Sequence, residues 1–498
     1  MAHKNVLFIV VDQLRADLLT GGFGNLAVMP QVTALMGEAT TFARHFSVVN
    51  PCGPSRASLL TGQYAMNHRS VRNAAPLDAG IATVAGEMRK AGYQPMLFGY
   101  TDTAGDPRRH DPADPRVRSY ECPHPDFDEM VEMRLEESYP WRAHLRAKGY
   151  DLPDYADFYV PQGDTLDAPA FYAAEDSDTA FLTDECLKAL SVQGDRPWFA
   201  HLTYIRPHPP LVAPAPYNTL FNPGDLPLPL PVEAATADHP YLAYSRALKT
   251  PDSFVDGKRV DPGDIDAIQT LRAVYLGLAA EVDHHIARVI AFLKESGQWE
   301  STLLVLCADH GEMLGDHGIW GKSTVYDAAY HTPLIIRLPG STSAGRRVDA
   351  MTESVDVMPT ILEHIGLACP ASVDGHSLMP FLTGETPADW RAHTYSELDF
   401  GEPVTPTAIQ RKLGLATRHC NLAILREADL TLVHFNAGIP PLLFDHRGAG
   451  EARNCADDPA YGADLLRLTQ RLLSHRMAYA DRTLSHIEIT RNGPVHGS

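Results

Sequence analysis

The chain has 498 residues, 44% of them hydrophobic and 21% charged, enough for a large domain and a smaller one around a deep core. A formal net charge of -20 excludes a nucleic-acid binder, whose phosphate-contacting surface needs surplus Lys and Arg, and leaves room only for a local cationic pocket. Seven cysteines, odd in number, scattered and without a C-x-x-C pair, point to a reducing compartment rather than a disulfide framework.

The opening run NVLFIVV (5–11) is rich in β-branched residues and lacks polar alternation, as expected of a strand covered on both faces. It is too short for a signal sequence or a membrane span, so the protein reads as cytoplasmic with no membrane partner. PQVTALMGEA (30–39) begins with Pro at a first helical position and carries helical periodicity. Short apolar runs at 95–100, 198–205, 302–310 and 333–338 predict further strands, and 264–296 is the clearest helix. Strands alternating with helices predict an α/β fold, a mainly parallel, mixed central sheet with helices on both faces. LPLPLPVEAATADHP (226–240) reads as an extended surface excursion.

Beyond about residue 380 the texture changes. NLAILRE (421–427), LTLVHF (430–435) and PLLFDHRGAGEARN (441–454) predict antiparallel hairpin strands, followed by a helix near 460–476. The expected division is a catalytic α/β domain over 1–380, a smaller C-terminal α+β subdomain with an antiparallel sheet over 381–476, and a polar tail over 477–498. That tail is either a frayed end or an arm that orders against a second subunit of a homo-oligomer, a dimer or tetramer.

Reactive side chains stand where the apolar runs end: Asp12-Gln13, Tyr100 and Asp309-His310. Ligands of open α/β sheets gather at such carboxyl ends. Asp12 and Asp309 could each cap a following helix, yet a charge there is costly unless paired, and each has a second ligand-capable neighbour. An all-oxygen set suits Ca²⁺, whereas the imidazole of His310 tilts the site toward Mn²⁺. In NPCGPSRASLLTG (50–62), Pro54 and Ser55 mark a helix start that places Cys52 near free backbone N–H groups, and Arg56 follows one turn on. From the residues alone, Cys52 fits a nucleophile, a metal ligand or a buried spectator.

CGPSRASLLTG resembles the C-x-P-S-R-x-x-x-L-T-G signature of the type I, formylglycine-dependent sulfatases of the alkaline phosphatase superfamily. NVLFIVVDQ and CADHGEMLGDHGIWGKSTVYDAAYHTPLIIRLPG (307–340) resemble that family's first strand and its metal and lysine segments, and LLFDHRGAGEARNCADDP resembles a divergent form of its C-terminal segment. The resemblance implies an alkaline-phosphatase-like fold and conversion of Cys52 to Cα-formylglycine by a generating enzyme that reads Cys52, Pro54 and Arg56. It implies one divalent metal, Mn²⁺ favoured and Ca²⁺ the alternative, on Asp12, Gln13, residue 52, Asp309 and His310. Arg56 then stabilises growing anionic charge, Lys322 and His208 flank the leaving group, Asn73 and Tyr100 contact substrate oxygens, and His317 neighbours the metal loop.

Many sulfatases carry Asp-Asp and Asp-Asn where this chain has Asp12-Gln13 and Asp309-His310. With the segments 67–78, 98–108, 206–217 and 478–486, this is similar to the phosphonate monoester hydrolases and their arylsulfatase relatives. Asp102 stands where common sulfatases have a histidine that breaks the formylglycine hemiacetal, and reads either as that base or as an Asx-turn residue. The expected activity is hydrolysis of a small anionic ester, a sulfate monoester in the manner of arylsulfatases. The alternative is a phosphonate monoester or phosphodiester, cleaved in the same site.

Overall fold

The computed structural model describes residues 4–496 apart from 24–25, 135–136, 341–342, 482 and 486. Its central sheet has eight strands: β1 (Asn5–Val11), β2 (Thr40–Phe46), β3 (Pro95–Gly99), β4 (Asp128–Glu132), β5 (Phe199–Tyr204), β6 (Thr302–Ala308), β7 (Leu334–Arg337) and β8 (Arg347–Glu353). They lie in the order β4-β3-β5-β1-β6-β7-β2-β8, all parallel except where β7 meets β6 and β2. The unbroken apolar run of β1 supplies both faces. Leu7, Ile9 and Val11 pack into a core shared with the helix Ile265–Glu295, while Val6, Phe8 and Val10 pack with the helix Val357–Ile365 on the other side. Each large apolar side chain buried in this way contributes about 1.5–3 kcal/mol.

The strands expected from 95–100, 198–205, 302–310 and 333–338 form as β3, β5, β6 and β7, slightly shortened. β2, β4 and β8 were not expected, because TTFARHF, DEMVE and RVDAMTE break their apolar residues with charges; β4 and β8 are edge strands, half open to water. A second sheet, β9 (Thr394–Asp399), β10 (Asn421–Arg426), β11 (Leu430–Phe435) and β12 (Leu442–Asp445), is antiparallel in the order β12-β11-β10-β9. The helix Gly462–Ala478 follows, then a hairpin of β13 (Ile487–Thr490) and β14 (Gly493–His496). Among the described residues, no helix is long and apolar enough to cross a membrane.

Strand register prepares the site. Val11 pairs with Tyr204 on one side and Ala308 on the other, so the next residues, Asp12 and Asp309, leave the sheet side by side. Tyr100 follows the end of β3, which pairs with β5 across the sheet.

Candidate active site

Cys52 is the first residue of the helix Cys52–Thr61, all ten residues of which are buried. Gly53 lies so close to the neighbouring loop that a Cβ there would stand 2.9 Å from the carbonyl oxygen of Asp102, a contact only glycine avoids. The Gly53 N–H donates to Asn73 Oδ1 (2.9 Å), and Asn73 Nδ2 has no partner among the described residues.

Beside this helix start, Asp12, Cys52, Asp309 and His310 each bring a ligand-type atom to within 4.8 Å of the others. The Cys52 sulfur lies 3.1 Å from His310 Nε2, which is 3.8 Å from Asp12 Oδ1 and from Asp309 Oδ2. His310 Nδ1 donates to the Gly311 carbonyl (3.0 Å), which leaves Nε2 with its lone pair facing the cluster, the tautomer a metal-binding histidine requires. Asp12 Oδ1 is buried without a hydrogen-bond partner among the described residues. An orphan carboxylate oxygen and an imidazole nitrogen whose lone pair faces only the Cys52 sulfur, gathered in one buried cluster, are what a divalent cation would satisfy, so these residues fit a metal.

Arg56, 2% exposed, underpins the cluster. Its Nε donates to Asp309 Oδ2 (3.0 Å), Nη2 to Asp12 Oδ2 (3.1 Å) and the Tyr100 hydroxyl (3.1 Å), and Nη1 to Thr203 Oγ1 (2.6 Å) and the Tyr100 carbonyl (3.4 Å). Its cationic plane lies 4.2 Å from the centre of the Tyr100 ring. All five of its N–H donors are thus engaged, and none remains for a substrate oxygen. Tyr100 is likewise committed, since its hydroxyl donates to Asp12. Burial alone would raise the Asp12 pKa, but the nearby His208, Arg56, His310 and Lys322 hold it well below the usual carboxylate range. Burial, then Asp12, pushes the Cys52 thiol up, so it stays protonated.

Lys322 Nζ donates to Gln13 Oε1 (2.6 Å), and Gln13 Nε2 donates to the buried Glu312. A metal-ligand role for Gln13 would therefore share the oxygen that already holds Lys322. Glu312 also accepts from the N–H groups of Leu314 (2.9 Å) and Gly321 (2.6 Å), and so shapes the loop between His310 and Lys322. His208 Nδ1 donates to the Pro209 carbonyl (2.6 Å), leaving Nε2 free to exchange a proton; burial, then Lys322, lowers its pKa to about 3. Behind it, the fully buried Arg206 pairs with Asp178 (2.9 Å) and donates from Nη1 to the carbonyls of His208 (2.9 Å) and Pro210 (3.0 Å).

Asp102 is buried, with Oδ2 4.0 Å from Arg56 Nε, and no backbone N–H bonds its carboxylate among the described residues. Burial, before the weaker pull of Arg56, raises its pKa well above the usual range. His317 stacks on the ring of Tyr326 (centroids 4.1 Å apart). Thr203, Arg206 and Glu312 were not singled out from sequence. Thr203 and Arg206 flank the end of β5, the same strand-end position that drew attention to Asp12 and Asp309.

The family model described as Sulfatase matches residues 4–367, and one described as N-sulphoglucosamine sulphohydrolase, C-terminal, matches residues 315–476. The chain is 38% identical over 513 residues, 99% of each protein, to the multifunctional alkaline phosphatase superfamily protein PehA of Trinickia caryophylli. It is 26% identical over 431 residues, 82% of this chain and 84% of the relative, to an arylsulfatase of Clostridium perfringens. Among solved structures, the phosphonate monoester hydrolase SpPMH from Silicibacter pomeroyi superimposes with a TM-score of 0.96 at 56% identity over 99% of both chains. The phosphonate monoester hydrolase of Agrobacterium radiobacter gives 0.94 at 40% identity, over 99% of this chain and 100% of that one.

Proposed function

We propose that this chain, which belongs to the sulfatase family, hydrolyses phosphonate monoesters and phosphodiesters in preference to the aryl sulfates expected from its signature motif. The observation that carries this reading is the full-length likeness, at 56% identity, to a phosphonate monoester hydrolase. The more distant arylsulfatase supports sulfate esters as further substrates.

Asp12, Asp309, His310 and residue 52, with Gln13 as a further oxygen donor, would hold the metal. When bound it supplies Lewis acidity at the ester's central atom and at the attacking hydroxyl of the aldehyde hydrate made from Cys52. Arg56 helps keep Asp12 ionised, holds Asp12 and Asp309 in place, and acts on the reaction through them. Asn73 Nδ2, beside the helix start, donates to a non-bridging oxygen of the substrate. Lys322, held by Gln13, offsets charge on the departing oxygen, and His208 Nε2 gives that oxygen its proton once the negative charge of the bound ester raises the low pKa of the imidazole. Asp102 takes the proton whose loss restores the aldehyde. A cytoplasmic location is in keeping with seven cysteines that all stand free.

The test compares kcat/KM for an aryl methylphosphonate, an aryl phosphodiester and an aryl sulfate sharing one leaving group. The phosphonate is expected to be fastest and Cys52→Ala to abolish all three; a clear preference for the sulfate would return the arylsulfatase reading. Intact mass should fall by roughly 18 Da on conversion of the thiol to the aldehyde. Chelation should inactivate the enzyme and Mn²⁺ restore it better than Mg²⁺, because the His310 nitrogen suits the former. Fully active protein containing only Ca²⁺ or Mg²⁺ would refute that metal assignment.

A further inference from the structure

The Pro-rich stretch 226–240 has no part in the chemistry described so far. It is tied to the loop that carries Lys322: His317 N donates to the Leu230 carbonyl (2.7 Å) and Leu230 N to Asp316 Oδ1 (2.9 Å). It is also tied to the helix Ile265–Glu295, where Gln269 Nε2 donates to the Leu226 carbonyl (2.9 Å). Between these segments opens a cleft of about 370 Å³, with Leu230, Val232, Ile265 and Trp320 in its walls and Arg246 and Lys249 beside them. Leu230, Val232 and Ile265 are 53%, 46% and 42% exposed, and Leu228 and Leu248 nearby in the chain are also exposed. Exposed apolar side chains gathered at one concave place mark a binding surface, whereas single ones do not.

The cleft lies beside the loop that carries Lys322, with Gly315, Gly318 and Trp320 of that loop in its wall. Trp320 is two residues from Lys322, at most about 7 Å along the chain. The stem of Lys249 passes 3.8 Å from where a Cβ on Gly321 would stand. Lys249 has no ion pair or side-chain hydrogen bond among the described residues, and its charge interacts with Lys322, Glu312 and Cys52. Arg246 donates from Nη2 to the carbonyls of Thr236 and Ala237, but its buried Nη1 has no partner among the described residues. Two cations with unspent donors at an apolar cleft are complementary to one kind of guest.

We propose that this cleft is the leaving-group subsite, and that it takes an elongated apolar group, aryl or alkyl, ending in a carboxylate that Lys249 and Arg246 receive. The assignment rests on the reading that places Lys322 and His208 at the departing oxygen, since Trp320 and Lys249 set the cleft against the loop that carries Lys322.

The free leaving groups test it by calorimetry, independently of turnover. Two series are used, 4-alkylphenols and 4-hydroxyphenylalkanoates of increasing chain length. In the native enzyme, Kd should fall about 3- to 4-fold per methylene until the cleft is filled, as burial of each methylene predicts. The carboxylates should bind about 10-fold tighter than methyl-ended phenols of equal length. Ile265→Ser should flatten the length dependence, and Lys249→Met should remove the carboxylate advantage while leaving the length dependence. A Kd indifferent to chain length in the native enzyme overturns the proposal. So does an Ile265→Ser variant that loses oligomeric mass by light scattering while keeping the native length dependence, which would make the patch an interface between copies. The functional reading is decided separately, by turnover of the unsubstituted aryl phosphonate, so either can fail alone.

Discussion

Asp102 sits in the wall of the site with a backbone φ of 51°, in the left-handed region that Asp and Asn tolerate better than most residues. Its carboxylate makes no Asx-turn bond among the described residues, which favours the base over the turn-former of the two sequence readings. Asp102→Asn keeps shape and backbone tolerance but removes basicity. We expect a burst of leaving group followed by a steady rate lower by ~10²–10⁴-fold, the range for one general base; parental kinetics without a burst would assign Asp102 to structure. Arg56 supports a second prediction. Its five donors hold two carboxylates, a phenol and a threonine hydroxyl in a fixed fork, which an ammonium cannot reproduce. Arg56→Lys should therefore lose bound metal, measured by elemental analysis, along with at least ~10²-fold in kcat/KM. At this scale the sequence was legible where a residue ends an apolar strand, as Asp12 and Asp309 do. It was not legible for Glu312 or Arg206, whose importance lies in partners such as Gln13 and Asp178, hundreds or tens of residues away.

Elements rather than single groups decide how firmly His208 is held. The loop after β5 is pinned by Arg206 through two carbonyls, and Arg206 is fixed in turn by Asp178 at the start of the helix Asp178–Ser191. Arg206→Lys should slacken the loop and selectively slow esters with poor leaving groups, which need a proton, steepening the dependence of kcat/KM on leaving-group pKa. A uniform loss across the series would mean a merely structural role. The same helix start faces the fully buried Glu281, whose pKa burial, then Asp178, raises to about 8 against the weaker pull of Ser177 and Arg206. Between the ordinary carboxylate range and about pH 8 the folded chain holds a proton that the unfolded chain has lost, so stability falls as pH rises through that window and then levels. Glu281→Gln should remove that slope, and its advantage in Tm should grow from about pH 5 to 8; an advantage independent of pH would show Glu281 ionised throughout. The buried strands β1, β5 and β6 were legible as unbroken apolar runs. β2, β8 and β9 were not, because TTFARHF, RVDAMTE and TYSELD mix charges with apolar residues, and only their pairing partners settle them as strands.

For the whole molecule, alternation of strands and helices was enough to give the fold class, whereas the C-terminal stretch could be read only as a frayed end or an arm. Instead of fraying, it closes a hairpin, β13 with β14, whose Ile489 and Val495 are 79% and 53% exposed, and the preceding helix exposes Leu466, Leu473 and Met477. Such surface is costly in a free monomer. We expect light scattering to show a homo-oligomer for the full chain and a smaller mass for a chain ending at Tyr479; an unchanged mass would free the hairpin from any role in assembly.

The buried helix that begins at Cys52 also fixes an order of events in the life of each molecule. Its first residue is 4% exposed, enclosed by segments as far apart in the chain as Asp12 and His310, so no second enzyme can grasp it once those segments have met. On the proposed chemistry, conversion of the thiol must then precede folding and cannot be repeated afterwards. The active fraction of a preparation becomes a record of a race between oxidation and collapse during synthesis. Supplying the oxidising enzyme to folded, unconverted protein should recover nothing, whereas supplying it during synthesis should raise the yield of active molecules.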